Sequence, residues 1–184
     1  MESTLVKDLM IPLEDYATVS EDATLADAVM ALEEAQSSFD QNRYQHRAIL
    51  VHDKSGKIVG KLSQLDVLKA LEPKYGDADK LKRLDRFGMD GAFIRGLIEQ
   101  YGFLKKPLQN ICQKAADIRV KNIMYTPSKG EFVSENAALN EAVLQLLVGQ
   151  HQSLLVTRGG DIVGILRLTD VFKKVTDMIK ACAI

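Results

Sequence analysis

Apolar and polar positions run along this chain in one order, and they do so twice. A short extended piece, Ala17 to Val19, precedes Leu25, Ala28, Val29 and Leu32 at helical spacing. Thr24, with Asp27 three residues on, has the pattern of a helix start. The apolar run Ala48 to Val51 is short enough for a strand. A glycine-containing turn joins it to Ile58 to Leu62, which predicts a hairpin. Gln64 to Leu71 closes the set as a helix. The second set is Glu131 to Val133, then Leu139, Ala142, Val143 and Leu146, then Leu154 to Val156, Ile162 to Leu166 and Leu168 to Ile179. Each predicts β-α-β-β-α, with helices packed on one face of a three-stranded sheet.

The repetition extends to the residues themselves. Val6-Lys7-Asp8-Leu9-Met10 returns as Val120-Lys121-Asn122-Ile123-Met124, and Val19-Ser20-Glu21 returns as Val133-Ser134-Glu135. Gly56-Lys57-Ile58-Val59-Gly60 with Asp66-Val67 returns as Gly160-Asp161-Ile162-Val163-Gly164 with Asp170-Val171. Two copies are too few for a solenoid and point to a pseudo-symmetric pair with a shared core and clefts between the copies. Residues 1–71 form the first repeat and 120–184 the second. The first is longer, mostly through Gln36 to Tyr44, a polar stretch that reads as a loop or a frayed helix extension. Residues 72–119 have no counterpart. Helices are expected there over Lys80 to Phe87 and Gly91 to Tyr101, either as a linker covering the pair's own core or as a docking or dimerisation surface.

Composition changes the picture only by exclusion. The chain has 184 residues, 46% apolar and 27% charged, as soluble globular proteins do. A net charge of -1 draws it neither to nucleic acid nor to an anionic membrane. No apolar run approaches the roughly 20 residues that span a bilayer. Met1 to Thr4 has no basic stretch leading into an apolar core, and Cys112 and Cys182 stand isolated. The expectation is a soluble, cytoplasmic protein. His46, His52 and His151 lack carboxylate or cysteine partners at ligand spacing, so no metal site is expected. No Walker loop, dinucleotide fingerprint or Gly-x-Ser-x-Gly is present, and the chain is expected not to be an enzyme.

These blocks, with the stretch Gly60-Lys61-Leu62-Ser63-Gln64-Leu65-Asp66, resemble a tandem CBS-domain pair (cystathionine beta-synthase domains, or Bateman module). The resemblance covers residues 5 to 71 and 119 to 180. It implies an α+β fold of two repeats packed sheet to sheet, with two clefts related by a pseudo-twofold axis. It implies a regulatory ligand containing adenosine, namely AMP, ADP, ATP or S-adenosylmethionine, with no cofactor otherwise required. It implies a stand-alone regulatory module, usually a homodimer, that reports to a partner or to its own dimer. The alternative is a ligand-free scaffold that recruits a partner through the helical insertion.

Asp66 falls in the first turn of a helix, where a carboxylate can take two hydrogen bonds from a ribose diol. Ser63 is either its helix cap or a further ligand contact. Asp170 matches Asp66, but Arg167 replaces Ser63. Arg167 either binds phosphate with its planar fork or pairs with Asp170 and closes that site, while Thr169 can supply a hydroxyl. His46 and Arg47 precede a strand, as do His151 and Gln152. The His-Arg step resembles one that touches phosphate in the nucleotide-sensing gamma subunit of AMP-activated protein kinase; otherwise these are solvated residues at a strand start. By the same resemblance, Thr18-Val19 and Phe132-Val133 line the base. Ile58 and Ile162 flank it or simply pack the core. The first cleft is expected to be the better site.

Overall fold

The computed structural model describes residues 4–38, 45–71, 96 and 110–182. Apart from Gly96, the helices expected over 80–87 and 91–101 lie outside these residues, as does 39–44. In the first repeat, β2 (Thr18–Ser20) leads to α1 (Leu25–Ser38), then the hairpin β3 (Ala48–His52) and β4 (Ile58–Ser63), then α2 (Gln64–Leu71). After α3 (Ile111–Asp117), the second repeat runs β5 (Phe132–Ser134), α4 (Leu139–Gly149), β6 (Ser153–Arg158), β7 (Asp161–Arg167) and α5 (Leu168–Ala181). The leading β1 (Ile11–Pro12) precedes all of these. In each repeat the first strand runs parallel to the second, and the hairpin is antiparallel. The polar extension after Leu32 is helical as far as Ser38.

Capping chemistry starts α1 where the sequence implies it. The Thr24 backbone N–H and hydroxyl both donate to Asp27 Oδ2, at 2.9 and 2.7 Å. The Asp27 N–H donates back to Thr24 Oγ1, at 3.1 Å. Strand alternation sorts the apolar residues into layers. In β3, Ile49 and Val51 pack under the helices with Leu25, Ala28 and Leu62, while Leu50 faces the other way. In β6, Leu154 and Val156 do the same with Leu139, Ala142 and Leu166, and Leu155 faces the other way. Leu50, Ile58, Leu155 and Ile165 meet between the two sheets with Ile11 and Tyr16. The repeats therefore pack sheet to sheet.

Space departs from sequence in one respect: each repeat's leading segment docks on the other repeat. Val6 N–H donates to Ala137 O and Lys7 N–H to Glu135 O, both at 3.0 Å. Val120 N–H donates to Ala23 O and Lys121 N–H to Glu21 O, both at 2.9 Å. Val6 belongs to the core of the second repeat and Val120 to that of the first, each with no exposed surface. β1 pairs antiparallel with β7, so the second sheet has four strands, β1-β7-β6-β5. The corresponding contact on the first sheet is the bridge between Lys61 and Tyr125. The repeated lysines reach across as well, Lys121 Nζ to Asp22 Oδ1 at 2.8 Å and Lys7 Nζ to Asn136 Oδ1 at 3.1 Å.

The repeated glycine of the hairpin's second strand makes room for this exchange. A Cβ on Gly164 would lie 2.5 Å from Ile11 O, and one on Gly60 would lie 2.6 Å from Met124 Sδ. Backbone cannot yield as the end of a methionine can. Gly164→Ala should therefore cost about 1–3 kcal/mol of stability, the usual penalty for overpacking. Gly60→Ala should cost less. Equilibrium urea unfolding with unchanged m-values checks the ranking, and equal costs would contradict it.

Candidate functional site

The starts of α2 and α5 come together beside the strand entries of β3 and β6, and a cavity of ≈ 510 Å³ opens among them. That volume lies within the range of small-molecule sites. Its wall includes Arg47, Ser63, Asp66, His151, Arg167 and Thr169, drawn from both repeats.

Ser63 and Asp66 form a capping box. The Ser63 N–H and hydroxyl donate to Asp66 Oδ2 at 2.9 and 2.6 Å, and the Asp66 N–H donates to Ser63 Oγ at 3.2 Å. The cap occupies one carboxylate oxygen. Among the described residues, Oδ1 accepts no hydrogen bond, and Asp66 lines the cavity. The capping role thus leaves an acceptor available. Arg47 is exposed at the same cavity, and its guanidinium has no partner among the described residues.

The twin carboxylate is differently placed. Arg167 Nε donates to Asp170 Oδ2 at 2.6 Å and Nη2 to Oδ1 at 2.7 Å. Both side chains are buried, at 6% and 4% exposure. Of the two roles open to Arg167, the structure shows the pairing that closes the site. Asp170 is not in the cavity wall, whereas Thr169 is. Tyr16 packs nearby, and its phenol is pushed up to about 12: burial raises it, Arg167 opposes and Asp170 adds.

Other expected contacts stand elsewhere. His46 has no exposed surface and packs edge-on against Tyr16, with ring centroids 4.3 Å apart. At the extended entry to β3, Gln45 and Arg47 point outward and His46 inward, so His46 does not line the cavity. Val19 and Val133 are packed in the two helix–sheet cores. Ile58, with Thr18 and Ile162, lines a separate hollow of ≈ 780 Å³ at the hairpin turns. Ile58 and Ser63 are opposite ends of β4, roughly 17 Å apart at the usual strand rise. Ile58 therefore cannot flank a ligand held by Asp66.

The wall also includes residues absent from the expected set, among them Lys61, Tyr125 and Glu131. The Lys61 ammonium from the first repeat pairs with Glu131 Oε2 from the second. Glu131 Oε1 accepts the Tyr125 hydroxyl at 2.5 Å and the Ser128 N–H at 3.0 Å. Burial pushes the Glu131 carboxyl up, but the hydrogen bonds from Lys61, Tyr125 and Ser128, with the Lys61 charge, prevail and hold it at about 2. The Tyr125 phenol is raised, first by its hydrogen bond to Glu131 and then by burial. The repeat held a signal for this cluster. The twins of Lys61, Tyr125 and Glu131 are the apolar Ile165, Ile11 and Ala17. Among the described residues, no three of His, Cys, Asp and Glu are placed to hold a metal ion, and no helix is long and apolar enough to cross a membrane.

The family model described as "CBS domain" matches residues 6–73 and 120–177. The chain belongs to the CBS-domain family. No curated protein matches it. Among solved structures, it is similar to a CBS domain-containing protein of unknown function from Bacillus anthracis str. Ames Ancestor, at 18% identity and TM-score 0.62, covering 96% of this chain and 95% of that one. It is similar to CBSX2 in complex with AMP at 20% identity and TM-score 0.59, covering 96% and 99%. A putative acetoin utilization protein (AcuB) from Vibrio cholerae matches at 18% identity and TM-score 0.58, covering 96% and 93%. These likenesses show the fold.

The depressed Glu131 carboxyl has a consequence for acid stability. Its ionised form is stabilised by folding, so that contribution is whole above about 4.5 and drains away as pH falls towards about 2. Glu131→Gln should lower stability at neutral pH and flatten its decline over this window. Urea midpoints measured from pH 6 to 2 check this. Parallel curves for the two proteins would contradict it.

Proposed function

We propose that this CBS pair is a regulatory module that binds one adenosine-containing ligand per chain, at the cavity wall formed by Asp66 and Arg47. The observation that carries the reading is the pairing of two unspent groups at one cavity. Asp66 retains a free carboxylate oxygen beside its cap, and Arg47 presents an unpaired guanidinium, each among the described residues. A ribose diol suits the first and a phosphate the second. The AMP of the similar CBSX2 structure supports adenine nucleotide as the ligand class, with AMP or ADP preferred to ATP or S-adenosylmethionine. The Arg167–Asp170 pair supports a count of one, because the twin carboxylate already has both oxygens bound.

The module catalyses nothing on this reading. The cavity wall is drawn from both repeats, so a ligand that fills it favours one relative arrangement of them, and a partner reads that arrangement. Association into a homodimer has support in α4, where Leu144, Leu147 and Val148 are exposed at 62%, 68% and 79%. Two of their α1 twins are Glu33 and Glu34, so the apolar surface is not a property of the repeat.

Calorimetric titration with AMP, ADP, ATP and S-adenosylmethionine tests the reading. One equivalent of AMP or ADP should bind. Asp66→Asn, which keeps an acceptor for the Ser63 cap, should weaken it about ten-fold or more, the order expected for a hydrogen bond to a charged group. No binding by any of the four at millimolar concentration would overturn the proposal.

A further inference from the structure

We infer that Tyr125 is the platform on which the base of the bound nucleotide stacks, with Glu131 and Lys61 as the residues that position it. The inference rests on the ribose reading of Asp66 and adds a base subsite to it. Tyr125 is 44% exposed and lines the same cavity as Asp66. An exposed tyrosine is ordinarily free to turn, and this one is not. Its hydroxyl donates to the buried Glu131 at 2.5 Å. Its N–H donates to Lys61 O at 2.8 Å, and its carbonyl accepts from Lys61 N at 2.9 Å. The Lys61 ammonium lies 5.2 Å from the ring centroid, within cation–π range. A large aromatic is thus fixed at both ends and left partly bare in a cavity, which removes the ordering cost that a mobile side chain would add to binding.

Distance along the chain agrees with this. Lys61 and Ser63 stand two positions apart on β4 and share a face of that strand. They are roughly 7 Å apart at the usual rise, about the offset between a ribose and the far edge of its base. Packing alone does not call for the cluster. The twin positions Ile11 and Ile165 fill with aliphatic side chains that have no exposed surface, and Ala17 is buried as well. A buried ion pair is commonly no more stabilising than such apolar packing. The polar version stands only in the cleft whose carboxylate is free, and it is assembled from both repeats.

Titration with AMP and with ribose 5-phosphate separates the base from the sugar and phosphate. Base–aromatic stacking is worth about 1–3 kcal/mol, so AMP should bind roughly 5- to 150-fold more tightly than ribose 5-phosphate. Tyr125→Leu should bring that ratio close to one while leaving ribose 5-phosphate affinity nearly unchanged. Tyr125→Phe should keep most of the ratio, and Glu131→Gln should reduce it. A merely structural role would weaken both ligands alike, and that result would overturn the inference. So would an unchanged ratio in Tyr125→Leu; if both ligands still depended on Asp66, the ribose site would stand and only the platform would fall. Failure of both ligands to bind the unaltered protein would overturn the platform and the ribose site together.

Discussion

The exchange of leading segments is the constraint on which the rest of the structure depends. Val6 fills the second core and Val120 the first, and each docks through backbone hydrogen bonds to residues just before the other repeat's first helix. Leu139 N–H, at the start of α4, finds its acceptor in Thr4 O, and Leu25 N–H in α1 finds Ile118 O. Helix starts leave N–H groups unsatisfied unless something outside the helix accepts from them. Here the other repeat does so. Neither half can satisfy its own first helix or complete its own core. The same exchange carries Tyr125 and Glu131 from the second repeat to the side of Lys61 on the first, and so builds the wall of the cavity.

Within that symmetric frame the two clefts have diverged by few substitutions. Ser63 against Arg167 decides whether the following carboxylate keeps an oxygen for a ligand or gives both to a guanidinium. Lys61, Tyr125 and Glu131 against Ile165, Ile11 and Ala17 decide whether the space beside it holds anchored polar groups or closes with aliphatic side chains. A fork-to-fork pair between buried groups is charge-assisted and geometrically specific. Opening the second cleft would expose a buried ion pair, whereas the first already presents its groups to the cavity. On the proposed function, the side chains keep one of these two clefts for a ligand.

Much of this was legible in the sequence. The period of apolar positions located all four repeat helices and both hairpins, and the pairs Thr24/Asp27 and Ser63/Asp66 carried their caps three residues apart. Local rules suffice for such features because the partners are neighbours in the chain. The exchange was not legible. Val6 and Val120 read equally well as the first residue of their own repeat, and only the path of the chain in space assigns them. His46 was misplaced for a related reason: at the entry of β3 the inward and outward phase is set by packing on Tyr16, not by the run of residues. Ile58 fell on the correct strand but at its far end from Asp66. Arg167 had two chemically sound roles at one spacing, and burial chose between them. The Lys61 cluster was readable only by asking where the repeat breaks its own polarity.

The central claim is that the two repeats form one cooperative unit through their exchanged segments. Native-state amide hydrogen exchange over a range of denaturant tests it most directly. The amides of Val6, Lys7, Val120 and Lys121 should merge with those of β3 and β6 into a single global opening, with one free energy and one denaturant dependence. If instead the leading segments open well below the global free energy, or one repeat's core exchanges while the other stays closed, the halves stand independently and the account fails.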